Sequence, residues 1–168
     1  MKNHILSAIE ASPIIAAVKN YEGLARILAS DLKVIFVLYG DLCSIAGIVD
    51  RLRDAGKYPI VHADLITGLG SKEVAVDFLA QSGASGIIST RPNVIHYARQ
   101  CGLLAIQRFF VIDSRALETA CRQLASSPPD VAEILPGVMP PTKSRCTTAF
   151  FPAAWMRETM LSMSQMVP

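Results

Sequence analysis

The chain has 168 residues, of which 51% are hydrophobic and 18% are charged, and its formal net charge is +2. This composition is typical of one globular domain and excludes a disordered chain, and so small a charge does not by itself indicate nucleic-acid binding. No apolar run approaches the roughly 18 residues of a membrane span, and no secretory signal is visible, so we expect a cytoplasmic protein. The four cysteines match no disulfide or zinc pattern, which favours reduced thiols and no metal site.

The first half of the chain predicts helices that alternate with strands. Ile, Val and Leu side chains at helical spacing predict a helix over 14–29. A β-branched and aromatic run predicts a buried strand over 34–40, and helical spacing returns over 44–55. A further strand is predicted over 59–66, followed by a loop and a helix for which Ser71 is the expected N-cap.

The second half of the chain continues this alternation. Strands are predicted over 86–91, 103–111 and 131–135, with helices between them over 92–100 and from Ser114 onward. Right-handed crossovers make such a sheet parallel, and a spacing of roughly 20–30 residues per unit is near that of a (β/α)8 barrel. The sequence therefore predicts an α/β fold with a TIM-barrel-like parallel sheet that is incomplete, at about six units. A shorter doubly wound sheet is the alternative.

The composition of the chain changes after Pro140. Residues 141–168 contain four of the six methionines and the only tryptophan, and they lack the strand pattern of the earlier segments. A weak helix over 153–163 is the only element they predict. We therefore divide the chain into a ligand-binding domain, 1–140, and a divergent tail, 141–168, that is disordered or frameshifted.

Polar residues gather near the carboxyl ends of the predicted strands. Parallel strands bring these ends to one rim, which is where α/β folds bind ligands. Arginine there suits phosphate or carboxylate, and acidic side chains accept from hydroxyl groups, so the ligand expected is a hydroxylated anion. The predicted binding residues are His62, Asp64, Ser89, Arg91, Gln107, Arg108, Glu133 and Gly137, the last through backbone amides of a proline-rich turn.

Several of these residues also have a structural interpretation. His62 and Asp64 are two apart on one predicted strand, so they share a face and could satisfy each other. Arg91 could form a salt bridge inside the barrel. Glu133 lies in an apolar strand, where an unpaired carboxylate is unfavourable, and its expected partner is Arg91, Arg108 or ligand hydroxyls.

Neighbouring polar residues on a strand should point in opposite directions. Gln107 and Arg108 are therefore expected on opposite faces of their strand, one of them toward the lumen. By the same alternation Ser89 faces the site and Thr90 points away from it. Asp113 precedes a predicted helix, and its expected structural role is capping.

Four segments occur in an order that resembles the glycerol-3-phosphate-responsive antiterminators, the regulators of bacterial glycerol uptake operons. The segments are 61–69 (VHADLITGL), 86–91 (GIISTR), 105–114 (AIQRFFVIDS) and 133–140 (EILPGVMP). The resemblance covers about 5–140. It implies a TIM-like barrel, without catalytic residues or cofactors, that binds glycerol 3-phosphate as effector. It also implies binding of a leader mRNA to suppress transcription termination, although no RNA-binding module is visible in the sequence.

The resemblance ends before the last units of that family, which include a strand with a Gly-Gly phosphate-binding turn. A frameshift and a naturally divergent tail are the two explanations for this difference. Two other functions stay open, namely a phosphate-sugar-binding enzyme on the same barrel and a truncated, non-functional relative. An incomplete barrel would expose strand edges, so a homo-oligomer is a further option.

Overall fold

The structure is a computed structural model that describes residues 1–12, 15–135 and 149–152. In these residues helices and strands alternate along the chain. The helices are α1 (Lys2–Ala11), α2 (Tyr21–Leu28), α3 (Ile45–Asp54), α4 (Glu73–Gln81), α5 (Pro92–Gln100) and α6 (Ser114–Ser126). The strands are β1 (Ala16–Val18), β2 (Val34–Val37), β3 (Tyr58–His62), β4 (Gly86–Ser89), β5 (Leu104–Phe110), β6 (Val131–Leu135) and β7 (Ala149–Pro152).

All seven strands belong to one sheet, and their order in the sheet is their order in the chain. Strands β1 to β6 are parallel to their neighbours, whereas β7 runs antiparallel to β6. A doubly wound sheet reverses its strand order at a switch point, and the described sheet has no such reversal. The fold is therefore the predicted one, an incomplete TIM-barrel-like sheet of six parallel strands.

The two faces of the sheet carry different hydrophobic clusters. One cluster joins side chains of the sheet to the helices that connect the strands, and we call this the outer face. The other cluster lies on the opposite, inner face. Its sheet residues are Val34, Phe36, Ile60, Ile88, Leu104, Ile106 and Val131. Each of these side chains is at most 5% exposed, so the inner face is closely packed where these residues lie.

Helix α1 covers part of the inner face. Its Ile5 is fully buried within the inner cluster. Lys2 donates from Nζ to Oδ2 of Asp130 at 2.9 Å, and Asp130 also accepts from the backbone amide of Ala105 at 2.9 Å. A salt bridge thus joins the helix to the residue before β6, and the buried Ile5 joins it to the inner face of the sheet.

The helix predicted over 14–29 is wrong in its first half. The structure has strand β1 there, followed by α2. Asn20 separates them, because its side chain accepts from the backbone amide of Gly23 at 2.8 Å and caps α2. The same apolar residues fit both the spacing of a helix and that of a strand. They form a strand because β1 pairs with β2 in the sheet.

Other element ends also differ from the prediction. Asp113 caps α6, as predicted, by accepting from the amide of Ala116 at 2.7 Å. Ser71 does not cap α4, which begins at Glu73 without a side-chain cap. The strand predicted over 59–66 ends at His62, where a short 3₁₀ helix takes over.

Strand β7 is an addition to the prediction, which placed no strand after Pro140. It pairs with β6 from Ile134 opposite Ala149 to Val131 opposite Pro152. The helix predicted over 153–163 lies outside the described residues, as does most of 141–168. The division of the chain at residue 140 stays a prediction.

Gly86 offers a test of the close packing between neighbouring strands. A Cβ atom there would lie 2.5 Å from the carbonyl oxygen of Leu104 and 2.9 Å from Cδ1 of Ile60. We expect Gly86→Ala to lower the free energy of unfolding by about 1–3 kcal/mol, because the backbone of β5 must shift. Urea unfolding followed by circular dichroism measures the change.

The matched control for Gly86 is Gly47, an exposed glycine inside α3 whose added Cβ would meet nothing within 4 Å. Gly47→Ala should raise the free energy of unfolding by about 0.5–1 kcal/mol through helix propensity. Equal effects of the two substitutions would contradict the packing described for β4 and β5.

Candidate ligand-binding site

Three of the predicted site residues share the carboxyl end of the inner face. His62 lies two residues beyond Ile60, and Ile60 belongs to the inner cluster. Arg108 and Glu133 are paired across β5 and β6, each two residues beyond a member of that cluster. Since side chains two apart on a strand share a face, the aliphatic inner face continues into these polar residues.

Arg108 and Glu133 form a buried ion pair with two parallel hydrogen bonds. Nε of Arg108 lies 2.5 Å from Oε2 of Glu133, and Nη2 lies 3.0 Å from Oε1. The arginine side chain is 13% exposed and the glutamate side chain 3%. The partner expected for Glu133 is thus found in one of the two predicted arginines, in the bidentate geometry that suits guanidinium and carboxylate.

Asp64 is held by the end of strand β4. Its carboxylate accepts from Oγ of Ser89 at 2.8 Å, and from the amide and Oγ1 of Thr90 at 2.7 and 2.9 Å. Nη1 of Arg91 lies 3.7 Å from Oδ1. Burial raises the pKa of Asp64, but these hydrogen bonds and the nearby His62 outweigh it, and the net pKa is lowered. Asp64 therefore stays an anion that organises the turn after β4.

The expected same-face pair of His62 and Asp64 is wrong. Strand β3 ends at His62, and Asp64 lies in the following 3₁₀ helix, where strand alternation no longer holds. For the same reason Thr90 does not point away from Ser89, since both hydroxyl groups donate to Asp64. The sequence analysis did not predict Thr90 as a site residue. Its position directly before Arg91 is the one feature of the sequence that could have indicated its role.

The turn that carries Arg91 has two further supports. Oγ of Ser89 accepts from the amide of Arg91 at 3.0 Å. Nε2 of Gln107 donates to the carbonyl oxygen of Thr90 at 2.9 Å. Gln107 and Arg108 do lie on opposite faces, because Gln107 pairs in register with Ser89 and Ala132 while Arg108 pairs with Glu133 on the inner face. Arg91 is left with its side chain 46% exposed at the start of α5.

His62 is the most unusual residue of the group. It is 2% exposed, and neither ring nitrogen has a hydrogen-bond partner within the part of the chain that the structure describes. Burial first and the charge of Arg108 second lower its pKa, the charge of Asp64 opposes them, and the net pKa is about 4. The imidazole is therefore neutral near pH 7, with one donor and one acceptor unused.

A groove of about 550 Å³ opens between the end of β5 and helix α6, and of the predicted site residues that the structure describes Arg108 alone lines it. Thr90 and Arg108 contribute to its wall, together with Phe110, Arg115 and Gln123. Its volume lies in the range of small-molecule sites. The predicted site residue Gly137 lies outside the described residues, so its place in the site is untested.

Two classes of feature do not occur in the described residues. These residues contain no cluster of three or more His, Cys, Asp or Glu side chains that could hold a metal ion. Among the helices that the structure describes, none is long and apolar enough to cross a membrane.

Comparison with known proteins decides the family. The family model for the glycerol-3-phosphate responsive antiterminator matches residues 14–152. This chain belongs to the glycerol-3-phosphate-responsive antiterminator family. The family is one of transcription regulators and not of enzymes, in agreement with the prediction from the sequence.

Individual relatives of this antiterminator agree in sequence and in structure. The uncharacterized protein YgcP of Escherichia coli (strain K12) is 42% identical over 137 residues, which are 81% of this chain and 72% of that protein. The glycerol uptake operon antiterminator regulatory protein of Listeria monocytogenes matches with a TM-score of 0.73 and 37% identity, over 77% of this chain and 71% of that one. A glycerol uptake operon antiterminator-related protein of Thermotoga maritima matches with a TM-score of 0.68 and 35% identity, over 73% and 70%.

The neutral state of His62 predicts an acid sensitivity of the antiterminator. The pKa is about 4 when folded and about 6.5 when unfolded, so the unfolded chain binds a proton first as pH falls. The contribution of His62 to the free energy of unfolding is therefore fully present above about pH 6.5, and it is lost progressively as the pH falls toward 4. We expect a loss of about 2 kcal/mol in the free energy of unfolding between pH 7 and pH 5. Urea titrations at both values measure it.

His62→Gln is the matched variant for this measurement, because its side chain does not titrate. The loss between pH 7 and pH 5 should shrink by about 2 kcal/mol in this variant. The same pH dependence in both proteins would show that His62 is not the group responsible.

The ion pair of Arg108 and Glu133 predicts strong coupling between the two residues. Arg108→Met or Glu133→Leu alone leaves a buried charge unpaired and should lower the free energy of unfolding by about 3–5 kcal/mol. The double variant should recover most of this loss, because both charges are gone. Urea unfolding of the four proteins gives the coupling energy.

An exposed pair provides the control for this cycle. Arg26 and Glu22 on α2 have side chains 77% and 73% exposed, so Arg26→Met should change the free energy of unfolding by about 0.5 kcal/mol at most. If the effects of Arg108→Met and Glu133→Leu simply add in the double variant, the pair does not act as a unit.

Proposed function

We propose that this antiterminator binds glycerol 3-phosphate at the carboxyl end of the inner face and that the ligand controls its binding to a leader mRNA. Binding of the leader suppresses transcription termination. The family description supports the response to glycerol 3-phosphate, and the names of the Listeria and Thermotoga proteins support a role in glycerol uptake. A protein that acts on a growing transcript works in the cytoplasm, which agrees with the expected localisation.

One observation carries the proposal for the ligand site. Among the described residues the fully buried His62 has two unused hydrogen-bonding atoms, and it lies on the same inner face as a buried ion pair, at the end of a barrel-like sheet where ligands bind. Arg91, half exposed at the same end of the sheet, supplies a cation for a phosphate. These groups together suit a small molecule with hydroxyl groups and one anionic end.

The proposed roles of the other predicted residues follow from their contacts. Asp64, Ser89 and Gln107 hold the turn that carries Arg91, so we assign them to positioning and not to ligand contact. Arg108 and Glu133 satisfy each other through one hydrogen bond per carboxylate oxygen, and each retains capacity for a ligand hydroxyl. Support for RNA binding comes from the family alone.

The experiment is a binding assay with the leader RNA of a glycerol uptake operon, with and without glycerol 3-phosphate. We expect the effector to tighten RNA binding, whereas glycerol and inorganic phosphate should have little effect. A scrambled RNA of equal length is the control for sequence. RNA binding that is indifferent to both sequence and effector would overturn the proposal.

Calorimetric titration with glycerol 3-phosphate tests the site itself. Arg91→Ala should weaken binding roughly 10- to 100-fold, since losing a hydrogen bond to a charged group has an effect of this size. Arg26→Ala removes an exposed arginine on α2 that pairs with Glu22, and it should leave the affinity unchanged. If the two substitutions have the same effect, Arg91 is not part of the site.

A further inference from the structure

The groove between the end of β5 and helix α6 has an apolar side that is open to solvent. Phe110 lines it with 56% of its surface exposed, and Ile112 lines it with 79% exposed. Single exposed apolar side chains are common, but an aromatic and an aliphatic one exposed together beside one groove are typical of a binding surface.

The opposite side of the groove is the polar face of α6. Arg115, Thr119 and Gln123 follow one another at four-residue spacing, so they lie on one face of the helix, and all three line the groove. Arg122 donates to the hydroxyl of Thr119 at 3.4 Å and therefore lies at the edge of the same face. The hydroxyl and amide groups of this face can both donate and accept hydrogen bonds.

Two arginines give the groove an excess of positive charge. Within the part of the chain that the structure describes, no carboxylate forms a salt bridge with Arg115 or Arg122. Arg108 also lines the groove, but Glu133 neutralises its charge. Asp113 is the acidic side chain of the lining, and its carboxylate accepts from a backbone amide in the first turn of α6. The groove therefore complements an anionic partner.

This combination of groups matches the chemistry of an unpaired RNA strand. Unstacked bases lie on aromatic rings, their edges exchange hydrogen bonds with polar side chains, and their phosphates pair with arginine. A duplex keeps its bases stacked on one another, so they cannot reach an aromatic ring on the protein. A small-molecule site buries most of its ligand, whereas the exposed Phe110 and Ile112 suit an extended chain that lies across the surface.

We propose that an unpaired segment of the leader mRNA binds in this groove, with a base stacked on Phe110 and phosphates at Arg115 and Arg122. Thr119 and Gln123 then face the edges of the bases. This inference rests on the proposed function, because it names the surface through which the antiterminator binds its RNA.

Fluorescence anisotropy with the leader RNA of a glycerol uptake operon tests the groove in the full chain, at saturating glycerol 3-phosphate. Phe110→Ala should weaken RNA binding roughly 5- to 100-fold, which is the effect of losing one stacked base. Arg115→Gln should weaken binding and also lower the slope of log affinity against log salt by about 0.7, because one phosphate contact is lost. The same RNA annealed to its complement should bind less tightly, since its bases are paired.

Two exposed side chains on α2, which do not line the groove, are the matched controls. Tyr21→Ala removes an aromatic ring on a residue that is 60% exposed, and Arg26→Gln removes an arginine whose side chain is 77% exposed. Both should leave the RNA affinity within about twofold. Phe110→Ala should also keep its affinity for glycerol 3-phosphate in calorimetric titration, and a loss of that affinity would assign the groove to the effector instead.

The outcomes separate this inference from the proposed function. If the unsubstituted chain binds the leader RNA and the two groove variants bind it as tightly as the two controls do, the groove is not the RNA surface while the proposed function stands. If the unsubstituted chain does not bind the leader RNA, the proposed function fails and the inference fails with it.

Crosslinking locates the RNA without any substitution. Ultraviolet light joins a base to an aromatic side chain on which it is stacked. Trypsin cleaves after Arg108 and Arg115, so Phe110 lies in the tryptic peptide 109–115. We expect this peptide to carry the mass of a nucleotide after irradiation of the complex with leader RNA. Adducts confined to peptides outside the groove would overturn the inference.

Discussion

The alternation of side chains along six parallel strands is the constraint on which the site depends. In the observed register, Ile60 and Ile88 of neighbouring strands belong to one inner cluster. One step further along the same face come His62 and the pair of Arg108 with Glu133. A slip of one residue in any of these strands would turn its polar residue toward the helices. The aliphatic side chains of the inner face therefore fix the register of the strands. This register in turn places His62, Arg108 and Glu133 on the same face.

Where the strands end, hydrogen bonds take over the positioning. The carboxylate of Asp64 joins the segment after β3 to the end of β4 by three hydrogen bonds. Gln107 ties the same turn to β5 from the other face. As a result several hydrogen bonds hold the turn that carries Arg91, although its own side chain is half exposed.

An incomplete barrel must also protect its inner face. Helix α1 places Ile5 among the inner side chains and is tied by Lys2 to Asp130, next to the start of β6. Strand β7 pairs along the edge of β6 in the antiparallel direction. An open edge is a template for association with other chains, and a paired one is not. Strand β7 therefore covers the edge of β6, and β1 and β7 are the edge strands of the described sheet.

The sequence by itself determined the alternation of strands and helices, the parallel sheet and the ring of polar residues near the strand ends. These follow from local periodicity, and the resemblance at 61–69 and 105–114 added the family. The prediction failed over 14–29, where one apolar pattern suits a helix and a strand equally. The tertiary structure alone decided which polar groups are partnered. Arg108 binds both carboxylate oxygens of Glu133, and three donors bind Asp64, whereas neither nitrogen of His62 has a partner among the described residues. Such partnerships join residues about 25 positions apart, and no local pattern records their distances or directions.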